Sequence, residues 1–243
     1  MDKADYSNIH LALVHFPVYN KVGEIVVSSV TTLDVHDISR VCRTYGAGSF
    51  YVVTPLKTQK ELVERMVSHW MKGFGAEYNP TRKDALQQTK VIKSLDEVIN
   101  RIMLYKKGRQ AFITLSILYP NLRYNEIEFD QDHIHPSFSF SDIKLKDINL
   151  NSSDMIRWQE MKDQLPNLQM MEGRKNRQKN KTPFNDWLNE MFNDENNIKT
   201  SKEVYLNDNY IPKGISYNIK NFEIFFDKRR SILIKRLKEI LDN

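Results

Sequence analysis

The residues best suited to chemistry in this 243-residue chain sit in one short run, Asp132-His133-Ile134-His135-Pro136. Two further runs follow it, Leu165-Pro166-Asn167-Leu168-Gln169 and Asn176-Arg177-Gln178-Lys179. Together they hold what metal-assisted phosphodiester cleavage requires. A divalent ion has to hold the scissile phosphate and stabilise the leaving oxygen. Hard oxygen ligands suit Mg²⁺ or Mn²⁺, and one or two protein ligands suffice because water and phosphate complete the shell. Asp132 and Asn176 can supply those oxygens, and His133 titrates in the range of a general base for the attacking water. Neighbouring residues on a strand point to opposite sides, so a bend is expected to aim Asp132 and His133 usefully, and Pro136 helps to end the strand.

Blander readings stand beside these. A lone Asp-His pair is more often surface or core decoration. His135 reads equally as a second phosphate or metal contact and as a solvated or core histidine. Between Glu172 and Lys181 five cations face one acid. Such a run is commonly a solvated face, but beside a scissile phosphate Arg174, Lys175, Arg177 and Lys179 are expected to touch a nucleic-acid backbone. Trp158 and Trp187 fall on helical patterns and read as core.

The elements that must carry these residues change character along the chain. Up to about residue 104, strands and helices alternate: Ile9–His15, Glu24–Val30, Ser49–Thr54 and Lys90–Lys93 read as strands. Helices are expected at Val35–Tyr45 with Asp34 as N-cap and Gly46 as stop, at Thr58–Lys72, and from Ser94 to Met103. Such alternation implies an α/β fold with a parallel sheet and flanking helices. Beyond it the rhythm stops. Ala111–Tyr119 fits helix or strand, Glu126–His133 and Leu168–Glu172 read as strands, and Ser137–Leu150 and Asp194–Asn209 as loops. Ser152–Gln164, Thr182–Phe192 and Asn221–Leu241 read as helices. The expected domains are therefore 1–104 and 105–243.

The stretches AFITLSILYPNLRYN, FDQDHIHPSFSF, LPNLQMMEGRKNRQKNKTPFNDWL and NFEIFFDKRRSILIKRLKEIL resemble the HNH (ββα-metal) nuclease module of GmrSD-type restriction endonucleases over roughly residues 105–243. The resemblance implies an α+β HNH endonuclease domain with Asp132 and Asn176 as metal ligands and His133 as general base. It further implies Asn167 as the residue holding the histidine loop and Lys179 as facing the phosphate. The stretches LALVHFPVYNKVGEIVVSSVTTLDVHDISRVCRTYG, FYVVTPLKTQKELVERMVSHW and GFGAEYNPTRKDAL resemble the first half of a SPOUT (trefoil-knot) RNA methyltransferase-like family over about residues 9–102. This implies a truncated SPOUT-like domain and a homodimer. The family builds its S-adenosylmethionine site from later glycine-rich loops. With eight glycines and no cluster able to cradle the cofactor, none is expected. Arg40, Arg43, Arg82 and Lys83 are the cations of this part best placed to meet a phosphate backbone.

Composition sets the remaining bounds. The mean hydropathy of −0.56 and the lack of an 18-residue apolar run speak against a membrane span. The first ten residues carry no apolar stretch of a secretory signal, and one cysteine, Cys42, allows no internal disulfide, so a cytoplasmic location is expected. The net charge of +5 permits a polyanionic partner. The sequence reading is thus a Mg²⁺- or Mn²⁺-dependent endonuclease that nicks DNA, with DNA favoured and RNA as the other partner. Its competitors are a tRNA or structured-RNA nuclease and a non-catalytic nucleic-acid-binding protein.

Overall fold

The computed structural model describes residues 7–192 and 202–241. The chain divides into two compact units, Met1–Ile99 and Asn100–Asn243. The first contains β1 (Ser7–Val14), β2 (Val18–Tyr19), β3 (Ile25–Val26), α1 (Thr32–Tyr45), β4 (Ala47–Val53), α2 (Lys57–Lys72), α3 (Phe74–Tyr78), α4 (Pro80–Leu86) and β5 (Thr89–Ile92), and α5 (Leu95–Ile102) begins in it. Its sheet is parallel in the order β1-β4-β5, with Ala12 opposite Tyr51 and Tyr51 opposite Lys90. The middle strand is apolar on both faces because both are covered. Phe50 and Val52 pack with Val35, Cys42, Val63 and Leu86, whereas Tyr51 and Val53 pack with Ile92. The α/β expectation holds for this part.

Local chemistry explains where the elements differ from expectation. Helix α1 is capped by Thr31, not Asp34: the Thr31 hydroxyl accepts from the Asp34 N–H at 3.1 Å and itself donates a hydrogen bond to the Asp34 carboxylate. Gly46, with φ 69°, ends the helix in the left-handed region that glycine enters at little cost. The strand expected at Glu24–Val30 shrinks to β3, because Asn20 turns the chain. Its side-chain oxygen accepts from the Val22 and Glu24 N–H groups and pairs β3 with β2 as a hairpin.

The second unit contains α6 (Arg109–Leu118), β6 (Phe129–His133), α7 (Asp142–Asp147), α8 (Ser152–Met161), β7 (Leu168–Glu172), α9 (Gly173–Lys179), α10 (Phe184–Phe192), α11 (Lys202–Asp208) and α12 (Phe222–Leu241). The ambiguous segment is α6. The loop expected at Ser137–Leu150 folds into a 3-10 turn and α7, anchored by the buried Leu145. Of the loop expected at Asp194–Asn209, the first part lies outside the described residues and the rest is mostly α11, held by Leu206. Phe222 and Phe225 of α12 serve two apolar clusters, which also bury Trp158 and Trp187. Among the described residues no helix is long and apolar enough to cross a membrane.

Candidate functional site

Strands β6 and β7 run antiparallel, with Asp132 opposite Gln169 and His133 opposite Leu168, and β7 leads straight into α9. This brings Asp132, His133, Asn176 and Arg177 to one cavity of about 510 Å³. Lys107, Pro136, Ser137, Phe138, Asn180 and Lys181 complete its walls. The side chains below it are committed to one another. Asp132, 6% exposed, accepts from Lys179 Nζ at 2.8 Å and from Gln169 Nε2 at 2.8 Å, both on the same carboxylate oxygen. Lys179 is 0% exposed and also donates to the His133 carbonyl, so it lies beneath the cavity instead of facing a phosphate. Burial lowers its pKa, and the Asp132 carboxylate opposes that shift.

The histidines differ in role. His133 Nε2 meets Asp163 Oδ1 at 2.8 Å. Its pKa is lowered, chiefly by burial, while the Asp163 contact works the other way. His135 is 2% exposed in a box of Phe184, Phe222 and Phe225, its ring centroid 4.7 Å from that of Phe225. Burial drives its pKa down to about 3, and its Nε2 has no partner among the described residues. It is a core imidazole.

Asn167 is wholly buried and locks the chain around His135: it accepts from the His135 N–H at 3.0 Å and donates to the carbonyls of His135 and Lys162. Asn176 donates to Asp130 Oδ2 at 3.0 Å. Arg174 and Lys175 are exposed on α9, and Lys175 pairs with Glu172 at 3.6 Å. Lys107, Asp163 and Lys181 were not singled out from the sequence. Lys181 lay in the visible basic run, but nothing in the spacing tied Lys107 or Asp163 to His133.

A second basic cavity lies within the first unit. It measures about 230 Å³ and is lined by Arg40, Arg43 and Thr44 of α1 and by Asn79, Thr81, Arg82 and Ala85 around α4. Asn79 caps α4, accepting the Arg82 N–H at 3.1 Å and the Thr81 hydroxyl at 2.7 Å. Arg40 pairs with Asp37, Arg43 with Asp84 at 3.2 Å, and the Arg82 guanidinium stacks 4.6 Å from the Trp70 ring centre. Burial lowers the pKa of nearby His36, and Arg82 and Arg40 lower it further, a sign of positive potential there. Lys83 is exposed and outside the lining.

Residues 8–128, just under half the chain, match the family model of SAM-dependent RNA methyltransferases. An uncharacterised protein of Aquifex aeolicus is 37% identical over 116 residues, 47% of this chain and 56% of its own length. Proteins named tRNA (guanine-N(1)-)-methyltransferase are also similar. The one from Oleidesulfovibrio alaskensis is 40% identical over 109 residues, 45% of this chain and 26% of its own. The one from Nitratidesulfovibrio vulgaris is 45% identical over 91 residues, 37% and 21% respectively. The chain thus spans about half the length of the first relative and about a quarter of the others.

These matches overturn the endonuclease expectation. The matched family is one of RNA methyltransferases, and its match runs through residue 128, across the AFITLSILYPNLRYN stretch that the nuclease resemblance also claims. An HNH domain over 105–243 is not shown, and the preference for DNA has no support in these matches. The Mg²⁺ or Mn²⁺ site is corrected too. One Asp132 oxygen is taken by Lys179 and Gln169, Asn176 is turned to Asp130, and among the described residues no group of three or more His, Cys, Asp or Glu could hold a metal ion.

The expectation of no S-adenosylmethionine is likewise overturned, since the matched family is defined by dependence on it. Parallel sheets bind ligands beyond the C-terminal ends of their strands. At those ends His15 is bonded to Ser28 at 2.8 Å, and Thr54 donates to Gln59, whose amide in turn reaches the Ser28 carbonyl. No glycine occupies the turns directly after β1, β4 or β5. The edge is closed by its own side chains, so these residues do not by themselves fit the cofactor.

Proposed function

We propose that this protein acts on RNA, with transfer RNA as the substrate class, in S-adenosylmethionine-dependent methylation, and that its N-terminal unit supplies RNA contact. The observation that carries this reading is the convergence of Arg40, Arg43 and Arg82 on one cavity inside the region similar to RNA methyltransferases. Guanidinium groups held by Asp37, Asp84 and Trp70 are pre-aimed at a phosphate, and arginine suits that task through its planar fork.

The cavity of the second unit adds a further RNA contact in this reading. Lys107, Arg177 and Lys181 line it and none has a carboxylate partner among the described residues. Arg177 and Lys181 meet phosphates, and Arg174 and Lys175 extend the basic face. Asp132, Lys179 and Asn167 act as positioning residues, and His133 and Asn176 offer neutral hydrogen bonds beside the cations. The homodimer implied by the trefoil-knot resemblance belongs to the same reading and is tested by sedimentation of the full chain.

The experiment is a tRNA-binding titration across salt concentrations, alongside transfer of labelled methyl groups from S-adenosylmethionine to tRNA. Binding that weakens steeply with salt, and weakens further in an Arg40→Ala/Arg43→Ala/Arg82→Ala variant, supports the proposal. Salt-insensitive binding, or no binding, removes it.

A further inference from the structure

A third cavity, of about 700 Å³, opens within the second unit on the side of β7 and α9 that carries Met170 and Lys175. Its walls are soft and flat: Phe129, Met170, Trp187, Met191, Phe192 and Tyr205. Tyr205 anchors them, its ring centre 5.4 Å from Trp187 and 5.7 Å from Phe192, its hydroxyl donating to Gln169 at 2.8 Å. Phe129, Met191 and Phe192 are only half-buried, so aromatic and thioether surface faces the opening. Polar groups occupy the rim, with Asn121, Asp208 and Asn209 supplying both donors and acceptors.

Charge distinguishes this cavity from the two basic ones. Its cations are already answered: Arg123 pairs with Glu126 at 2.8 Å and Lys175 with Glu172 at 3.6 Å. With both cations paired and the Asp208 carboxylate also on the rim, no net positive charge is left, which selects against a free anion. Aromatic walls, methionine sulfur and an amide-bearing rim suit a flat, neutral, heteroaromatic group with polar edges. The volume lies within the usual range for small-ligand sites, which is roughly 300–1,000 Å³.

We infer that this cavity is a nucleobase pocket that takes an unstacked base of the RNA. The assignment rests on the RNA reading for its ligand, and on the geometry of this unit for its chemistry. Single-stranded bases are recognised in this way, by stacking on aromatic side chains and by hydrogen bonds along the base edge.

The test is equilibrium dialysis of the full chain against labelled adenosine and guanosine, with tRNA binding measured on the same preparations. Saturable nucleoside binding is expected. Phe192→Ala, or Leu122→Trp placed to fill the cavity, should weaken it at least about fivefold while circular dichroism stays unchanged. Adenosine monophosphate should bind no more tightly than adenosine, because the rim offers no unpaired cation. Absence of saturable binding in a preparation that binds tRNA overturns the pocket and leaves the RNA reading standing. Nucleoside binding without tRNA binding overturns the RNA reading and leaves a nucleoside site. Equal affinity in the wild type and both variants places the nucleoside elsewhere and overturns the pocket.

Discussion

The two units each present a basic cavity but support it in opposite ways. In the first, α1 and α4 accompany a sheet whose middle strand is almost wholly apolar, and the arginines are steadied at the surface by Asp37, Asp84 and a tryptophan face. In the second, the cavity-lining cations Lys107, Arg177 and Lys181 have no carboxylate partners among the described residues, and the side chains packed beneath them are polar: the Lys179–Asp132 pair, Asn167, His135 and Arg229 are all buried. Apolar support tolerates substitution gradually, because hydrophobic burial is non-directional. Polar support fails sharply, since each unpaired buried group costs its full desolvation. The second unit should therefore be the more sensitive to single changes and to pH.

The largest effect is expected at Arg229. It is 0% exposed, and its guanidinium donates to the carbonyls of Pro166 at 2.9 Å and Leu168 at 2.7 Å, and to those of Leu165 and Asn209 and the Tyr119 hydroxyl at longer range. Arg229→Ala strands these acceptors and leaves a void, at a cost of about 3–5 kcal/mol. Urea denaturation should show the second unit unfolding earlier while the first is little changed. Two transitions shifted equally would break the comparison.

Next comes acid sensitivity. His135 titrates near 6.5 when unfolded and at about 3 when folded. Between those values the unfolded chain binds a proton that the folded chain refuses. Stability is thus flat above about pH 6.5 and falls below it, by up to about 1.4 kcal/mol per pH unit from this group, until the folded form also titrates. His135→Leu should remove part of that slope, since the Asn167 bonds here are to the backbone of residue 135. A variant with the same slope from pH 6.5 to 4 would place the acid sensitivity elsewhere.

Smaller effects belong to the surfaces. Asp84→Ala frees Arg43 to swing, and tRNA affinity should fall by about two- to threefold in filter binding, within the ~0–1 kcal/mol worth of an exposed pair. A rise in affinity would instead mean that the pair competes with RNA. Arg174→Ala should change stability by less than about 0.5 kcal/mol, as an exposed site with no described partner. A larger loss would reveal a role for α9 beyond its basic face.

The contrast also explains what was legible in the sequence. The parallel sheet was, because β4 carries the apolar run Phe50–Val53 and Gly46 marks the end of α1. Arg40, Arg43 and Arg82 stood out as cations, and α4 with its Asn79 cap brings them to one cavity. The polar floor of the second unit was legible in its residues but not in their pairing. Lys179 reads as a surface cation and is the most deeply buried one beside the cavity, because Asp132 lies forty-seven positions back along the chain. His135 and Arg229 hide similarly: only tertiary packing turns an exposed-looking histidine and a cation of a helical cluster into core. The cavity-lining Lys107 had no spacing signal at all. Function was misread for the same reason, since a run of residue types suited to metal chemistry folds into side chains that satisfy one another.

The central claim is RNA contact through the arginine cavity of the N-terminal unit. Its most direct measurement is the salt dependence of tRNA binding by the full chain and by the Arg40→Ala/Arg43→Ala/Arg82→Ala variant. A steep decline of log K with log salt is expected for the wild type, shallower by roughly 2 in the variant, at unchanged thermal stability. Identical slopes and affinities in the two proteins would contradict it.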